Sequence, residues 1–521
     1  MAKFIPYDYN QNSMIVINYQ DQLVPGTFEY AVHHLIDTKL DLSAFYPKFI
    51  NDTVGRPAYD PVILLKIILF GYSRGVTSSR DLEWQCCHNI IFKALCCDRV
   101  PHFTTIADFI SSRSNEIESL FEQVLLICDE QGLLGHELFA IDGCKMPSNA
   151  SKEWSGTFKE FDQKRKKITR QIRYHMDQHK KQDKHQRRED ERDQQRKKTI
   201  ETLNQAFERI DNFLKSESPR MGQGKIKKEV KSNITDNESA KMTTSKGTIQ
   251  GYNGVAAVDK KHQVIIDAQA FVEGQEHHTL QPILESIELR YQRLKINQEI
   301  FKSNIIVTAD TGFANENNMQ YLHNNKINAY VPDNRFRSRD PKFNEQKEKY
   351  GKRHQVGNKK SQKMISASEF NFVEISMTCV CPAGQQLSFR REGEDKLGNH
   401  KAFFEGKLLQ CRHCDIKQRC MKNPESADHR KGKGRQVSFI LNKSDKPSYT
   451  DWMKQRVDSE EGKQIYSHRM STVEPVFGNI GTNKGLKRFS LRGKRKVQGQ
   501  WQLYCIVHNI EKIMNYGKIA A

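Results

Sequence analysis

The chain has 521 residues, of which 37% are hydrophobic and 28% are charged, and its formal net charge is +20. This length is too great for one compact core and predicts about two to four domains. No stretch reaches the roughly 18 uncharged apolar residues that cross a bilayer, because the best run, Val62 to Leu65, is cut by Lys66. These totals argue against an integral membrane protein and favour a polyanionic partner, most commonly nucleic acid, over a protein that is merely basic. The N-terminal MAKFIPYDYN has no apolar signal region, so we expect a cytoplasmic protein.

Residues 1–135 are expected to be mostly helical. The pair Asp60-Pro61 places a capping residue before a proline that suits the first helical position, which predicts a helix start. Thr104 or Thr105 is expected to cap a later helix of this region.

A long helical arm is expected after the first strand. From Phe158 to Glu217 the chain has neither Gly nor Pro, and its first forty residues are dominated by charged and amide side chains. Its second half carries apolar residues at spacings of three and four, typical of a helical seam: Ile200, Leu203, Phe207, Ile210 and Leu214. We predict a helical hairpin whose charged surface is either simply solvated or contacts phosphates.

Two apolar runs end in an aspartate that glycine follows within two residues. The run 138–141 meets Asp142, and the run 305–309 meets Asp310. If both runs are adjacent strands of one sheet, the two carboxylates are neighbours and each raises the pKa of the other. A cation between them would keep both ionised, and Mg²⁺ prefers such oxygen ligands.

A third carboxylate would complete a two-metal phosphoryl-transfer site. The candidate is Glu474 in YSHRMSTVEPVFGNIG, an acidic residue in an apolar helical context, with Tyr466 and Arg469 before it. The competing carboxylates are Asp236, Glu238 and Asp259.

These motifs together resemble a DDE transposase of a bacterial insertion sequence. The resemblance rests on five stretches in order: GRPAYDPVILLKIILFGYSRGVTSSRDLE, AIDGCKMPSNAS, GYNGVAAVD, VTADTGFANENNMQYL and RMSTVEPVFGNI with the basic region after it. It implies metal-dependent cleavage and strand transfer at terminal inverted repeats in double-stranded DNA. The cofactors it implies are two Mg²⁺ or Mn²⁺ ions. A homodimer is expected, because two transposon ends must be brought together.

The resemblance also implies roles for individual residues. The catalytic, metal-binding triad would be Asp142, Asp310 and Glu474, and the DNA contacts would be Tyr466, Arg469, Lys484 and Arg488. The family has a basic residue seven positions after the glutamate, where this chain has Gly481. Lys484 is the nearest substitute, one helical turn further on.

A cysteine cluster predicts a structural zinc site. Two cysteines separated by two residues, Cys411 and Cys414, can both reach one tetrahedral ion. Cys381 and Cys420 would complete a four-thiolate site, with Cys379 or His413 as alternates and free thiols as the competing interpretation.

The predicted fold class is α/β: an RNase H-like mixed sheet flanked by helices, an all-α N-terminal domain, a long helical-hairpin insertion and a small zinc-ribbon-like insertion. The expected segments are a helical domain for DNA-end binding or dimerisation (1–135), the catalytic core (136–157 and 240–335), the arm (158–239), a basic linker with the zinc-binding insertion (336–445), and C-terminal core helices with Glu474 (446–521). Two alternatives stay open: a related metal-dependent nuclease without strand transfer, and a non-catalytic DNA-binding protein derived from a transposase. In the cell we expect association with the bacterial nucleoid.

Overall fold

A computed structural model describes residues 16–49, 57–183, 191–222, 227–245, 247–343, 364–394, 399–429, 431–441 and 448–518. Most of the predicted basic linker, residues 344–363, lies outside the described residues. The chain divides into two compact units. Unit 1 takes the described residues of Met1–Pro219, Lys231–Arg339 and Ser448–Ala521, and unit 2 takes those of Arg220–Val230 and Asp340–Pro447. The N-terminal helices, the strands that carry Asp142 and Asp310 and the C-terminal helices therefore share unit 1.

The N-terminal part of unit 1 is helical. Its helices are α1 (Phe28–Thr38), α2 (Pro61–Ser73), α3 (Ser79–His88), α4 (Ile90–Cys96), α5 (Phe103–Ser112) and α6 (Ser114–Glu130). The predicted start at Asp60-Pro61 is confirmed, because the Asp60 side chain accepts a hydrogen bond from the Val62 N–H at 2.9 Å. The predicted cap at Thr104 or Thr105 is wrong: His102 caps α5 and both threonines lie inside its first turn.

A mixed sheet forms the centre of unit 1. Its strands are β1 (Leu138–Pro147), β4 (Ala240–Thr244), β5 (Gly247–Asp259), β6 (Ile265–Phe271), β7 (Ile306–Ala309) and β8 (Ala329–Tyr330), and a separate short pair joins β2 (Ser155–Gly156) to β3 (Ser232–Asn233). The order is β4-β5-β1-β7-β8, with β6 also paired to β5. β5 is antiparallel to β1, β4 and β6, whereas β1, β7 and β8 are parallel. A mixed sheet of this kind is consistent with an RNase H-like domain.

Two long helices follow β2, namely α7 (Phe158–Asp183) and α8 (Glu191–Ser216). They pack on each other through a small apolar core that includes Phe161, Ile168, Ile210 and Phe213. Ion pairs on the same helices join Arg165 to Asp162 and Asp211. The apolar seam therefore stabilises the pair, while the charged residues remain on its outer surface.

Helices flank the sheet on the C-terminal side of the chain. They are α9 (Leu280–Leu294), α10 (Glu316–Asn324), α11 (Phe336–Arg339), α14 (Tyr449–Asp458), α15 (Glu460–Gly478), a π-helical turn (Asn479–Asn483) and α16 (Lys494–Tyr516). α16 is buried along most of its length between β6 and α6, and its Trp501 indole donates to the Val255 carbonyl at 3.2 Å. Among the described residues, no helix combines the length and apolar content that a membrane crossing requires.

Unit 2 contains a second, antiparallel sheet. Its strands are β9 (Asn371–Val373), β10 (Thr378–Val380), β11 (Gln386–Glu394), β12 (His400–Glu405) and β13 (Gln436–Ile440), and its short helices are α12 (Leu408–Arg412) and α13 (Lys417–Cys420). The order is β13-β12-β11-β10-β9. Cys379 is buried in the apolar core of this unit with Phe370 and Phe404.

The pairing of β1 with β5 depends on a glycine. A side chain on Gly251 would overlap the carbonyl oxygen of Met146 in β1. We therefore expect Gly251→Ala to lower the free energy of unfolding by about 2 kcal/mol or more, because the clash is with backbone that cannot rotate away. Gly478→Ala is the matched control: a Cβ there meets nothing within 4 Å and the residue ends α15, so the variant should be neutral or slightly stabilising. Thermal unfolding of both variants checks this, and equal melting temperatures would contradict the stated pairing.

Candidate active site

Asp142 and Asp310 lie side by side. The last parallel pair of β1 and β7 joins Ile141 to Ala309, so the next residue of each chain segment is an aspartate. β7 ends there, but β1 does not end at Asp142 as the sequence suggested; it continues to Pro147 because β5 still pairs with it. The aspartates thus lie where β7 stops pairing with β1, so that beyond them β1 is paired only with β5.

A single guanidinium bridges this pair. Arg469 of α15 places one terminal nitrogen 3.0 Å from Asp142 Oδ2 and the other 3.4 Å from Asp310 Oδ1. Only 7% of the Arg469 side chain is exposed, against 17% for Asp142 and 37% for Asp310. Arg469 therefore occupies the position that a cation between the two carboxylates would take.

The environment raises the pKa of Asp142 to about 6. Burial is the main cause, and the nearby negative charges of Asp310 and Glu276 add to it. Arg469 and the Gly143 N–H, which donates to Asp142 Oδ1 at 2.8 Å, act in the opposite direction. Even beside a guanidinium, the Asp142 carboxylate is thus poorly solvated, which favours binding of a further cation.

Tyr466 lies next to Arg469 on the same helix. The Arg469 Nε–H donates to the Tyr466 hydroxyl at 3.4 Å, and the ring of Phe336 meets the Tyr466 ring edge-on at 5.4 Å. Burial raises the pKa of the Tyr466 hydroxyl, so it remains a neutral hydrogen-bonding group. Both predicted phosphate contacts therefore lie beside the carboxylates in this structure.

Glu474 lies on α15 but on another face. It is exposed, whereas Arg469, Val473 and Val476 are buried against the sheet. Five residues after Arg469, its side chain points about 140° away around the helix axis. Within the described residues, Glu474 makes no hydrogen bond or ion pair with Asp142 or Asp310.

The predicted basic DNA contacts differ in their surroundings. Lys484 has no exposed side-chain surface and pairs with Glu511 at 2.5 Å, so it cannot reach a phosphate without rearrangement. The cause is the π-helical turn, in which the Lys484 N–H donates to the Asn479 carbonyl and turns the side chain inward. Arg488 is exposed, and its guanidinium donates to Asn149 Oδ1 at 2.9 Å.

The competing carboxylates have structural partners. Asp236 accepts from the Tyr252 hydroxyl at 2.8 Å, and Glu238 accepts from the Lys494 N–H at the start of α16. Asp259 accepts from the Gly135 and His136 N–H groups. Each of the three carboxylates therefore already stabilises local backbone or side chains.

Sequence reasoning missed one acidic residue of this site, Glu276. It lies in a short 3₁₀ turn before α9, and Asn253 of β5 donates to it at 3.4 Å. Burial raises the pKa of Glu276, and Asp310 raises it further, while Lys145 and Arg469 lower it. The segment EGQEHH, residues 273–278, has no periodic pattern that would mark Glu276 as a site residue. The sequence offered one indication, the glycines that follow Asp142 and Asp310, because small residues leave room for a neighbouring side chain.

Four cysteines in unit 2 line one small cavity of about 30 Å³. They are Cys381, Cys411, Cys414 and Cys420. Backbone N–H groups point at two of the sulfurs: Gln385 donates to Cys381 Sγ at 3.3 Å and Arg435 donates to Cys411 Sγ at 3.5 Å. The alternates are outside this group, because Cys379 belongs to the apolar core and His413 is exposed.

Two family models match the chain. A transposase domain (DUF772) matches residues 18–112, and a transposase DDE domain matches residues 380–514. The chain carries transposase domains. The resemblance to DDE transposases of insertion sequences is thereby confirmed. The DDE match takes in Tyr466, Arg469, Glu474 and the four cysteines, whereas Asp142 and Asp310 lie outside it. No curated protein matches the chain.

Transposases of the DDE type generally use divalent metal ions. As they stand, no three His, Cys, Asp or Glu side chains of the described residues form a group tight enough to hold a metal. The oxygens around Asp142 nevertheless fit a hard cation, since they belong to carboxylates and an amide. One of them, Asn253 Oδ1, is buried and has no hydrogen-bond partner in the described part of the chain. In the structure, the Arg469 guanidinium pairs with both aspartates instead.

The pKa of Asp142 predicts a pH-dependent stability. Because the folded-state pKa of about 6 exceeds the usual 3.8, protonated Asp142 stabilises the fold below about pH 4, and this contribution is lost as the pH rises through 6. Asp142→Asn does not titrate, so its stability relative to the parent should rise by about 2 kcal/mol between pH 4 and pH 7 in EDTA. Melting temperatures across this range measure it, with Glu201→Gln, an exposed carboxylate of α8, as the control. A pH-independent difference for Asp142→Asn would contradict the assigned environment.

Proposed function

We propose that the chain binds the terminal inverted repeats of an insertion sequence and catalyses metal-dependent cleavage and strand transfer of double-stranded DNA. The observation that carries the proposal is that Asp142 and Asp310 each follow the last parallel pair of β1 and β7, in a chain with two transposase domains. A transposase DDE domain implies phosphoryl-transfer nuclease chemistry in general.

The predicted triad of Asp142, Asp310 and Glu474 would hold two Mg²⁺ or Mn²⁺ ions. Such ions, when bound, activate an attacking oxygen and stabilise the leaving one. Asp142 and Asp310 would bind as carboxylates, so the proton of Asp142 must leave at pH values near 6. Glu474 would need a change in α15 to reach them, because it now faces solvent.

Arg469 and Tyr466 would then act on DNA. If it left the two aspartates, the guanidinium of Arg469 would be available to a phosphate of the transposon end. Tyr466, which accepts from Arg469 Nε, would orient it. Lys484 stays a predicted contact that the present burial does not favour.

A basic cleft gives DNA a path away from the aspartates. It has a volume of about 1000 Å³ and is lined by Arg209, Arg488, Arg492 and Trp154, among others. Ser148 and Asn149, which come directly after β1, also line the cleft. Ser148 is six residues after Asp142, which is about 20 Å along an extended strand. The arginines here and the net charge of +20 would bind phosphates and make DNA affinity fall steeply with salt.

The partners we propose are double-stranded DNA and a second copy of the chain. The helices that match the transposase domain over residues 18–112 would bind the ends or form the dimer. In the cell the protein would be associated with the nucleoid.

Removing one carboxylate tests the proposed activity. Asp142→Asn should lower Mg²⁺-dependent cleavage of duplexes carrying the element's ends by at least about 1000-fold, because the amide cannot hold a divalent ion. Binding of the same duplex should change less than about threefold. Gel assays of cutting, joining of precut ends and binding provide the three measurements.

Glu201→Gln is the control and should cut like the parent. Persistent cutting by Asp142→Asn would contradict the assignment of the site. Cutting without joining would identify a nuclease, and binding without metal-dependent cutting by the parent would identify a non-catalytic DNA-binding protein.

For unit 2 we propose a structural Zn²⁺ on Cys381, Cys411, Cys414 and Cys420. The support is the shared cavity, which is large enough for an ion, and the N–H groups that face two of the sulfurs, since such donors stabilise thiolates. A Cβ on Gly406 would lie 2.9 Å from Cys411 Sγ, so a small residue is needed beside this sulfur.

The double variant Cys411→Ser/Cys414→Ser should lose its zinc. We expect about one zinc per chain in the parent, near none in the double variant, and a lower melting temperature, because four thiolates supply the binding energy. Plasma mass spectrometry of purified protein measures the zinc. His413→Ala, a change between the same two cysteines, should retain it; a zinc-free parent would contradict the proposal.

A further inference from the structure

Glu276 reaches the catalytic aspartates through a gap left by two glycines. An ideal Cβ on Gly143, the residue after Asp142, would lie 2.9 Å from Glu276 Oε1. A Cβ on Gly312, two residues after Asp310, would collide with Glu276 Oε2. The Glu276 carboxylate therefore lies between the backbone segments that carry the two aspartates, and any side chain at Gly312 would displace it.

A buried amide oxygen lies at the same place. Asn253 has no exposed surface, and its Oδ1 has no hydrogen-bond partner within the described part of the chain. The same amide donates through Nδ2 to Glu276, and its Oδ1 would lie 2.9 Å from a Cβ on Gly143. A buried acceptor without a donor costs free energy, so an electropositive group would be favourable here.

The negative charge of the three carboxylates is not balanced by Arg469, the cation that contacts two of them. Asp142 and Asp310 share Arg469, but Glu276 makes no ion pair within 4 Å among the described residues. Lys145 acts on Glu276 only at longer range. The group therefore consists of oxygen acceptors, three of them carboxylates, which is the ligand chemistry of Mg²⁺ and Mn²⁺ rather than of a softer metal.

We propose that Glu276 is a third metal-binding carboxylate beside Asp142 and Asp310, with the Asn253 amide oxygen as a further ligand. The proposal rests on the proposed function, because it assumes that the aspartates bind divalent metal. It assigns the exposed Glu474 no part in metal binding by the DNA-free protein. The 3₁₀ turn that precedes α9 holds Glu276 in place beside the two aspartates.

Mn²⁺ binding to the full chain without DNA tests the proposal. Isothermal titration should show that Glu276→Gln weakens the Mn²⁺ affinity at least about tenfold, because the amide loses the charge but keeps the shape. Gly312→Ala should weaken it as well, by displacing the carboxylate. The control Glu285→Gln, an exposed residue of the following helix, should stay within about twofold of the parent. Melting temperatures verify that each variant is folded.

Mn²⁺ affinity unchanged in Glu276→Gln, or no saturable Mn²⁺ binding by the parent up to millimolar concentrations, would overturn the proposal. DNA-cleavage assays distinguish failure of the proposed role of Glu276 from failure of the proposed transposase function. If Glu276→Gln binds Mn²⁺ poorly but the parent never cuts DNA, the site stands and the transposase activity fails. If the parent cuts DNA and Glu276→Gln both cuts and binds Mn²⁺ normally, the function stands and the role of Glu276 fails.

Discussion

Two like charges side by side, of which Asp142 is the less exposed, determine how the proposed catalytic part of this structure is held together. Parallel pairing of β1 with β7 fixes Asp142 next to Asp310, and the surrounding apolar strands remove much of the water that would solvate them. Uncompensated, such a pair would cost several kcal/mol. Arg469 offsets this cost, and it can do so because Val473 and Val476 hold α15 against the sheet. The position of α15 and the charge state of the site are therefore coupled.

Two kinds of cation can therefore compensate the negative charge of the carboxylates at this site. A guanidinium does so in the structure described here, and a divalent ion would do so during catalysis. Exchange of one for the other would leave Arg469 available to a DNA phosphate. The same exchange would give α15 a reason to shift, as the proposed role of Glu474 in the triad requires.

Apolar runs of four or five residues ending in aspartate were enough to predict both strands and their adjacent carboxylates. The sequence could not show that β1 continues past Asp142, because that depends on pairing with β5 over residues 251–255. It could not show the burial of Lys484 either, since a π-helical turn adds a residue to the helix and changes the direction of the side chains after it. Glu276 was missed because a tertiary contact through Gly143 and Gly312, and no local pattern, brings it to the site.

Asp142 and Asp310 are proposed to form a cation site that Arg469 now fills. Anomalous diffraction from crystals soaked in Mn²⁺ tests this exchange most directly. We expect a manganese peak bonded to oxygens of both aspartates, with the Arg469 guanidinium moved away from them. Manganese bound elsewhere, with both Arg469 ion pairs intact at saturating Mn²⁺, would contradict the exchange.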